Sequence, residues 1–122
     1  MRGQFGVFVW CFLLVLSLSN CKKDDTNSGG SPDCGSLPHA YSTDIKPIVL
    51  NNCAISGCHV SGGSGPGDFT TYQALANAAT NGSLKDRVII KKDMPPSSSG
   101  KTLTQEQRDK ILCWINDGAP NN

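Results

Sequence analysis

The segment "NNCAISGCHV", residues 51–60, contains two cysteines and a histidine, with Cys58 and His59 adjacent. Covalent haem attachment needs two thiols that reach the two vinyl groups on one porphyrin edge, and an imidazole that reaches the iron. The usual signal has two residues between the cysteines, whereas four separate Cys53 from Cys58. This longer spacer must bulge, and Gly57 permits the positive φ that a bulge needs. The segment alone leaves haem attachment, a disulfide and a zinc site open.

The zinc interpretation is the one that this spacing supports least. A structural zinc ion takes four ligands in a tetrahedron, and its cysteine ligands are thiolates. Adjacent residues such as Cys58 and His59 are poorly spaced to provide two of those ligands, and a distant fourth ligand would be needed. The segment therefore favours a haem or a disulfide over zinc.

The N-terminus has the features of an export signal that ends at residue 20. Arg2 supplies a positive charge, and residues 5–18 form an apolar run that is short for a membrane span. Cys11 lies in this run and would be removed with it. The next residues, "LSNC", resemble the lipobox of bacterial lipoproteins, and this resemblance implies that Cys21 is acylated.

Residues 21–33 are charged and rich in Gly and Ser, which is typical of a flexible tether. The "CKKDD" at its start resembles the surface-export signal of Bacteroidetes lipoproteins. We therefore expect an exported protein that a lipid anchors to a bacterial envelope membrane, on the periplasmic or surface side. Without the signal, ten basic and ten acidic residues remain, and this balance does not indicate a nucleic-acid partner.

Four cysteines remain in residues 34–122, which we expect to form one small domain. If Cys53 and Cys58 hold a haem, Cys34 and Cys113 are left to pair in an oxidising compartment. That disulfide would connect the start of the domain to its last helix. By the chain-entropy model, a loop of this length contributes on the order of 4–5 kcal/mol to the free energy of unfolding.

The apolar spacing in this domain is helical, and no strand pattern of useful length occurs. We predict helices at 44–52, 68–80 and 83–90, and a last helix that begins at Thr104 and ends before Gly118. Their predicted N-caps are Asp44, Asp68 or Thr70, Ser83, and Thr104 in a capping box with Gln107. The apolar faces of the first and last helices are predicted to be Ile45, Ile48 and Val49, and Ile111, Leu112 and Ile115. The fold class is all-α with three to five short helices, and the long loops indicate that something other than side chains fills its centre.

A sixth iron ligand can be sought among the remaining residues, since a low-spin haem commonly takes a methionine sulfur. The chain without its signal has one methionine, Met94, in the proline-stiffened loop "KKDMPP". A polar loop is a poor place for a methionine that only fills a core, so Met94 is the predicted ligand. His39 is the second choice, although we expect it to be an exposed polar residue.

The domain resembles a class I c-type cytochrome, and in particular the cytochrome c-like lipoproteins of Bacteroidetes. The resemblance spans 41–120 and rests on "STDIKPIVLNNCAISGCH", "GPGDF", "MPP" and "CWINDGAP". It implies one haem c, with thioethers at Cys53 and Cys58, a proximal ligand at His59 and a distal ligand at Met94. It also implies that the first and last helices cross beside the haem. Finally, it implies that the carbonyl of Pro66 accepts a hydrogen bond from the ligating imidazole.

These features predict an electron-transfer protein that serves redox partners in a respiratory or periplasmic chain. Iron with His and Met ligands has no open position for a substrate, and the chain has no paired-carboxylate motif, nucleophile elbow or phosphate loop. An enzyme is therefore not expected. A basic group before the methionine loop offers a docking surface for an acidic partner: Lys85, Arg87, Lys91 and Lys92.

Two alternatives stay open at this level. In the first, the protein is a surface lipoprotein without haem, stapled by a disulfide between Cys53 and Cys58. In the second, Met94 does not bind, and the haem is five-coordinate and senses a small ligand.

Overall fold

The computed structural model describes residues 30–122, which contain four α-helices and no β-strand. The predicted all-α class is confirmed for this part of the chain. The export signal, Cys21 and most of the tether lie outside the described residues. The four helices are α1 (Lys46–Asn52), α2 (Tyr72–Thr80), α3 (Ser83–Lys85) and α4 (Gln105–Asn116).

Two wide helical turns and one tight turn complete the helical structure. A π-helical turn, Tyr41–Ile45, leads into α1, and a second, Asp86–Ile90, continues α3. A 3₁₀ turn, Ser97–Ser99, lies between the methionine loop and α4. None of the helices in residues 30–122 is long and apolar enough to cross a membrane.

The first helical segment begins earlier than predicted, so the assignment of Asp44 as its N-cap is wrong. The π-helical turn starts at Tyr41, because the ring of Tyr41 is buried and stacks on Trp114 with centroids 5.9 Å apart. Asp44 lies inside this turn, where its carboxylate accepts a hydrogen bond of 3.2 Å from the Ala40 amide. Pro47 occupies the first turn of α1, where its missing N–H costs no helical hydrogen bond.

The caps of the middle helices also differ from the predictions by one or a few residues. The hydroxyl of Thr71 caps α2 by accepting a hydrogen bond from the Ala74 amide, whereas Asp68 caps a preceding turn through Thr70. Ser83 is the first residue of α3 rather than its cap, because Gly82 precedes it with φ of 82°. The helical segments themselves lie where the periodicity placed them.

The last helix, α4, has the predicted capping box. The Thr104 hydroxyl accepts from the Gln107 amide at 3.2 Å, and the Gln107 side chain accepts from the Thr104 amide at 2.9 Å. Its buried face is centred on Ile111 and Trp114, not on Ile111, Leu112 and Ile115 as predicted. The reason is that Cys113 also turns inward, into a disulfide.

The core forms where α4 packs against the first helical segment. The predicted face of that segment is confirmed, since Ile45, Ile48 and Val49 are all buried. Trp114 is fully buried, and its indole N–H donates to the Pro120 carbonyl at 2.9 Å. Burial of such side chains contributes roughly 1.5–3 kcal/mol each.

The predicted disulfide between Cys34 and Cys113 is present, with Cα atoms 5.4 Å apart and a sequence separation of 79 residues. It ties the segment before the first helix to the C-terminal half of α4. An ion pair of 3.2 Å between Lys110 and Asp44 joins the same two parts of the fold. The N- and C-terminal parts of the domain are thus fastened together, away from the central loops.

Candidate haem site

A cavity of about 430 Å³ lies between the "CAISGCH" segment, α2, α3 and the methionine loop. Its volume falls in the range of ~300–1,000 Å³ that is typical of small-molecule and cofactor sites. Cys53, Cys58, His59 and Met94 all line it. The structure therefore brings together the four residues that the sequence pointed to, although Met94 lies far along the chain from the others.

The four-residue spacer folds as a compact turn, which lets both cysteines face the same cavity. The His59 amide donates to the Cys53 carbonyl at 3.2 Å, and the Cys58 amide donates to the Ile55 carbonyl at 3.0 Å. Gly57 has φ of 80°, the left-handed conformation expected of a bulge at this position. The two extra residues are therefore accommodated within the turn, and both cysteines line the cavity.

A glycine-rich loop then folds back over this turn. The amide and hydroxyl of Ser64 both donate to the Gly57 carbonyl, at 3.1 and 2.9 Å. Gly65 lies against the imidazole of His59, and a Cβ at this position would be 2.8 Å from ring atoms Cε1 and Nδ1. Only glycine lets the backbone approach the ring this closely.

The imidazole of His59 is held by a hydrogen bond and by an aromatic contact. Its Nδ1 lies 3.0 Å from the Pro66 carbonyl oxygen, so the hydrogen bond that the resemblance implies is present. A carbonyl can only accept, so Nδ1 carries the proton and Nε2 keeps its lone pair. The ring also stacks on Phe69, with centroids 4.2 Å apart and an interplanar angle of 3°. Nε2 is thus the nitrogen left free to bind a metal.

Cys53 and Cys58 both carry free thiols in the structure and are not joined to each other. Cys53 is buried and Cys58 is half-buried. Burial raises the pKa of the Cys53 thiol to about 11, and its proximity to Cys58 adds to this shift. A buried, neutral sulfur is compatible with a thioether, which carries no charge.

No cluster of three or more His, Cys, Asp or Glu side chains that suits a metal ion occurs within residues 30–122. The zinc interpretation therefore has no ligand set in the described part of the chain.

Met94 lies in the loop between the second π-helical turn and the 3₁₀ turn. Its amide donates to the Arg87 carbonyl at 3.3 Å, and the peptide bond to Pro95 is cis. An ion pair of 2.7 Å between Arg87 and Asp93 closes the same loop. The side chain packs partly against the hydrophobic core and also faces the cavity, so core packing contributes more than the sequence indicated.

His39 is neither exposed nor close to the cavity, so the expectation of an exposed polar residue is wrong. Its Nε2 lies 2.7 Å from Asp117 Oδ2, and its Nδ1 lies 2.5 Å from the Leu37 carbonyl oxygen. The side chain is 16% exposed. Since His39 does not line the cavity that holds His59, the structure does not support it as an axial ligand.

The apolar wall of the cavity was not assigned from the sequence. Phe69 supplies part of this wall, and pairs of residues four apart supply the rest: Ala74 with Ala78 from α2, and Leu84 from α3 with Val88 from the π-helical turn that continues it. Residues at this spacing share one face of a helix, so the sequence does contain the pattern that predicts these two apolar faces. The sequence could not show that these faces meet around a cavity rather than against each other.

The predicted basic group is partly neutralised. Arg87 pairs with Asp93, and Lys91 pairs with Asp86 at 2.6 Å. Lys85 and Lys92 form no ion pair with the described residues and are exposed, and Lys92 adopts a left-handed conformation with φ of 54°. Two basic side chains, rather than four, are therefore free of partners within the domain.

Comparison with protein-family models, curated proteins and solved structures finds no match to this chain. The chemical interpretation of the site therefore depends on the site's own residues and their arrangement.

Proposed function

We propose that the protein is an electron carrier with one haem c, attached through Cys53 and Cys58 and ligated by His59 and Met94. The observation that carries this proposal is the lining of one cavity by both thiols, the imidazole and the thioether. These four groups are the ones that covalent attachment and two axial ligands require.

The residues around the cavity fit such a group. The Pro66 carbonyl fixes the proton of His59 on Nδ1, which leaves Nε2 as a neutral ligand of raised basicity. Gly65 leaves the room that this ring orientation needs. The S–H group of each cysteine would add across the double bond of a vinyl group. The sulfur would bond to one carbon and the hydrogen to the other, so the S–H bond and the π bond break and no oxidant is needed.

The cavity walls support electron transfer rather than catalysis. The haem, when bound, supplies a one-electron couple between ferric and ferrous iron. Phe69, Leu84 and Val88 are buried and apolar, so they give the site a non-polar wall, and low polarity around the iron favours a higher reduction potential. With His59 and Met94 as ligands, no position remains for a substrate.

We further propose that a lipid on Cys21 anchors the domain to an envelope membrane, where it exchanges electrons with redox partner proteins. Residues 30–33, the part of the tether that the structure describes, are irregular. Lys85 and Lys92 would attract an acidic partner, because neither is neutralised by a carboxylate of the described domain.

The proposal is tested by a spectroelectrochemical titration of the purified mature protein, followed by addition of carbon monoxide to the reduced form. We expect a reversible one-electron transition and no spectral change with carbon monoxide. Rapid binding of carbon monoxide would instead identify a five-coordinate sensor. A colourless protein with a bond between Cys53 and Cys58 in its peptide map would identify the disulfide-stapled alternative.

A further inference from the structure

Phe69 makes two contacts with His59, one through its ring and one through its backbone. The rings are almost parallel, at 3°, and their centroids are 4.2 Å apart. The Phe69 amide also donates to the His59 carbonyl at 3.0 Å. Phe69 therefore contacts His59 through both its ring and its backbone.

Phe69 is also in close contact with the backbone of the loop and with the hydrophobic core. Gly67, with φ of 83°, turns the chain so that a Cβ there would lie 3.1 Å from Phe69 Cε1. Phe69 is buried, at 8% exposure, and belongs to the hydrophobic core. The ring of Phe69 is thus packed into the core on the side that does not face His59.

His59 is restrained in three ways by this arrangement. The Pro66 carbonyl holds Nδ1, Gly65 lies against the Nδ1–Cε1 edge, and Phe69 covers a face of the ring. The hydrogen bond alone allows the ring to swing about the line from Nδ1 to the carbonyl oxygen. A flat partner in van der Waals contact opposes that motion, because it tilts the ring away from a favourable stacking geometry.

We propose that Phe69 is a positioning residue that fixes the plane of the His59 imidazole and thereby the orientation of that plane relative to the haem. This inference rests on the proposed function. Residues that contact a metal ligand orient that ligand and tune the electronic properties of the metal. In this protein, the contact is the stack of Phe69 on the His59 ring. Phe69 would act through His59 and would not itself coordinate iron.

The test is the electron paramagnetic resonance spectrum of the ferric full-length protein, since the g values of low-spin haem depend on the orientation of its axial imidazole. We expect one set of g values for the wild type and for F69Y, which keeps the ring. For F69L we expect shifted g values or a second set. The matched control is L103A, because Leu103 is buried at 4% exposure and does not line the cavity. L103A should lower the melting temperature and keep the wild-type spectrum.

A second measurement needs no variant and covers the case in which F69L fails to fold. In the reduced, diamagnetic wild type, nuclear Overhauser contacts are expected between the ring protons of Phe69 and His59. Three outcomes would overturn this inference and leave the proposed function standing. They are the absence of these contacts, an F69L spectrum identical to that of the wild type, and an F69Y spectrum shifted as far as that of F69L. A wild type without covalent haem would overturn the proposed function together with it.

Discussion

His59 and Pro66 are joined by a hydrogen bond of 3.0 Å between the imidazole Nδ1 and the proline carbonyl oxygen. The two residues are seven positions apart on a glycine-rich loop, so the geometry of this bond depends on how that loop folds back. It assigns the proton to Nδ1 and the lone pair to Nε2. A loop that would otherwise only connect two helices thus determines which nitrogen is free for a metal.

Replacement of Gly65 by alanine should disturb this arrangement. The added Cβ would lie 2.8 Å from two atoms of the His59 ring, so the ring or the loop has to move. We expect a loss of about 1–3 kcal/mol in the free energy of unfolding, the usual cost of overpacking, and a lower ratio of haem to protein. Thermal unfolding and the haem absorbance per chain measure both effects.

The matched control for this substitution is G35A, because the nearest atom to a Cβ at Gly35 is 3.4 Å away and its φ is not positive. We expect G35A to stay within about 0.5 kcal/mol of the wild type, as surface substitutions usually do. Equal stability and haem content for G65A and G35A would contradict the role given to Gly65.

Replacement of Met94 by leucine separates ligation from packing. Leucine has a similar volume, so the cost in stability should stay below about 1.5 kcal/mol. The sulfur is lost, however, and with it the far-red charge-transfer band of ferric haem with a methionine ligand. We also expect reduced M94L to bind carbon monoxide. H39Q is the control and should keep the band, because His39 does not line the cavity; a band that survives in M94L and disappears in H39Q would reverse the ligand assignment.

Removal of the disulfide should destabilise the domain strongly without affecting haem attachment. The bond between Cys34 and Cys113 closes a loop of 79 residues, for which the chain-entropy model gives about 4–5 kcal/mol. We expect the double variant C34S/C113S to unfold at a clearly lower denaturant concentration than the wild type. A reductant should have the same effect on the wild type and none on the variant. Unchanged unfolding in both comparisons would show that the bond contributes little.

His39 predicts a dependence of stability on pH. Its hydrogen bond to Asp117 and that to the Leu37 carbonyl raise the pKa of His39 above its ordinary value of 6.5, although burial opposes the shift. Asp44 contributes in the same direction through its charge. Because the folded pKa is the higher one, the stabilisation is complete below about pH 6.5 and is lost as the pH rises through the raised value.

The corresponding measurement is urea unfolding of the wild type and of D117N at a pH below 6.5 and at a pH about two units higher. We expect the wild type to lose more stability than D117N over this interval, since the variant lacks the carboxylate that holds the charged imidazole. The same pH dependence in both proteins would remove His39 as its source.

Local signals in the sequence were sufficient to place the helical segments approximately and to identify the Cys53–His59 segment of the site. The capping box at Thr104 and the bulge at Gly57 depend on neighbouring residues, and both are present as predicted. The start of the first helical segment was misplaced, because its extension to Tyr41 depends on Trp114, which is far along the chain.

Cysteine pairing and the lone methionine gave two contacts between distant segments, but the sequence did not reveal the others. His39 pairs with a residue 78 positions away, and nothing near His39 indicates Asp117. The stack of Phe69 on His59 depends on the return of the glycine-rich loop, whose path no periodicity describes. Pro66 was found only through the resemblance to c-type cytochromes, since its carbonyl has no signature of its own.

The most direct test of the central claim is the absorption spectrum of the purified mature protein after extraction with acidified acetone, compared with the spectrum of C53A/C58A. Acidified acetone removes haem that is held only by its axial ligands and leaves thioether-bound haem with the chain. We predict that the wild type retains its haem and that the double variant loses it. A wild type that gives up its haem, or that never contained any when expressed with haem-attachment machinery, would contradict the assignment of Cys53 and Cys58.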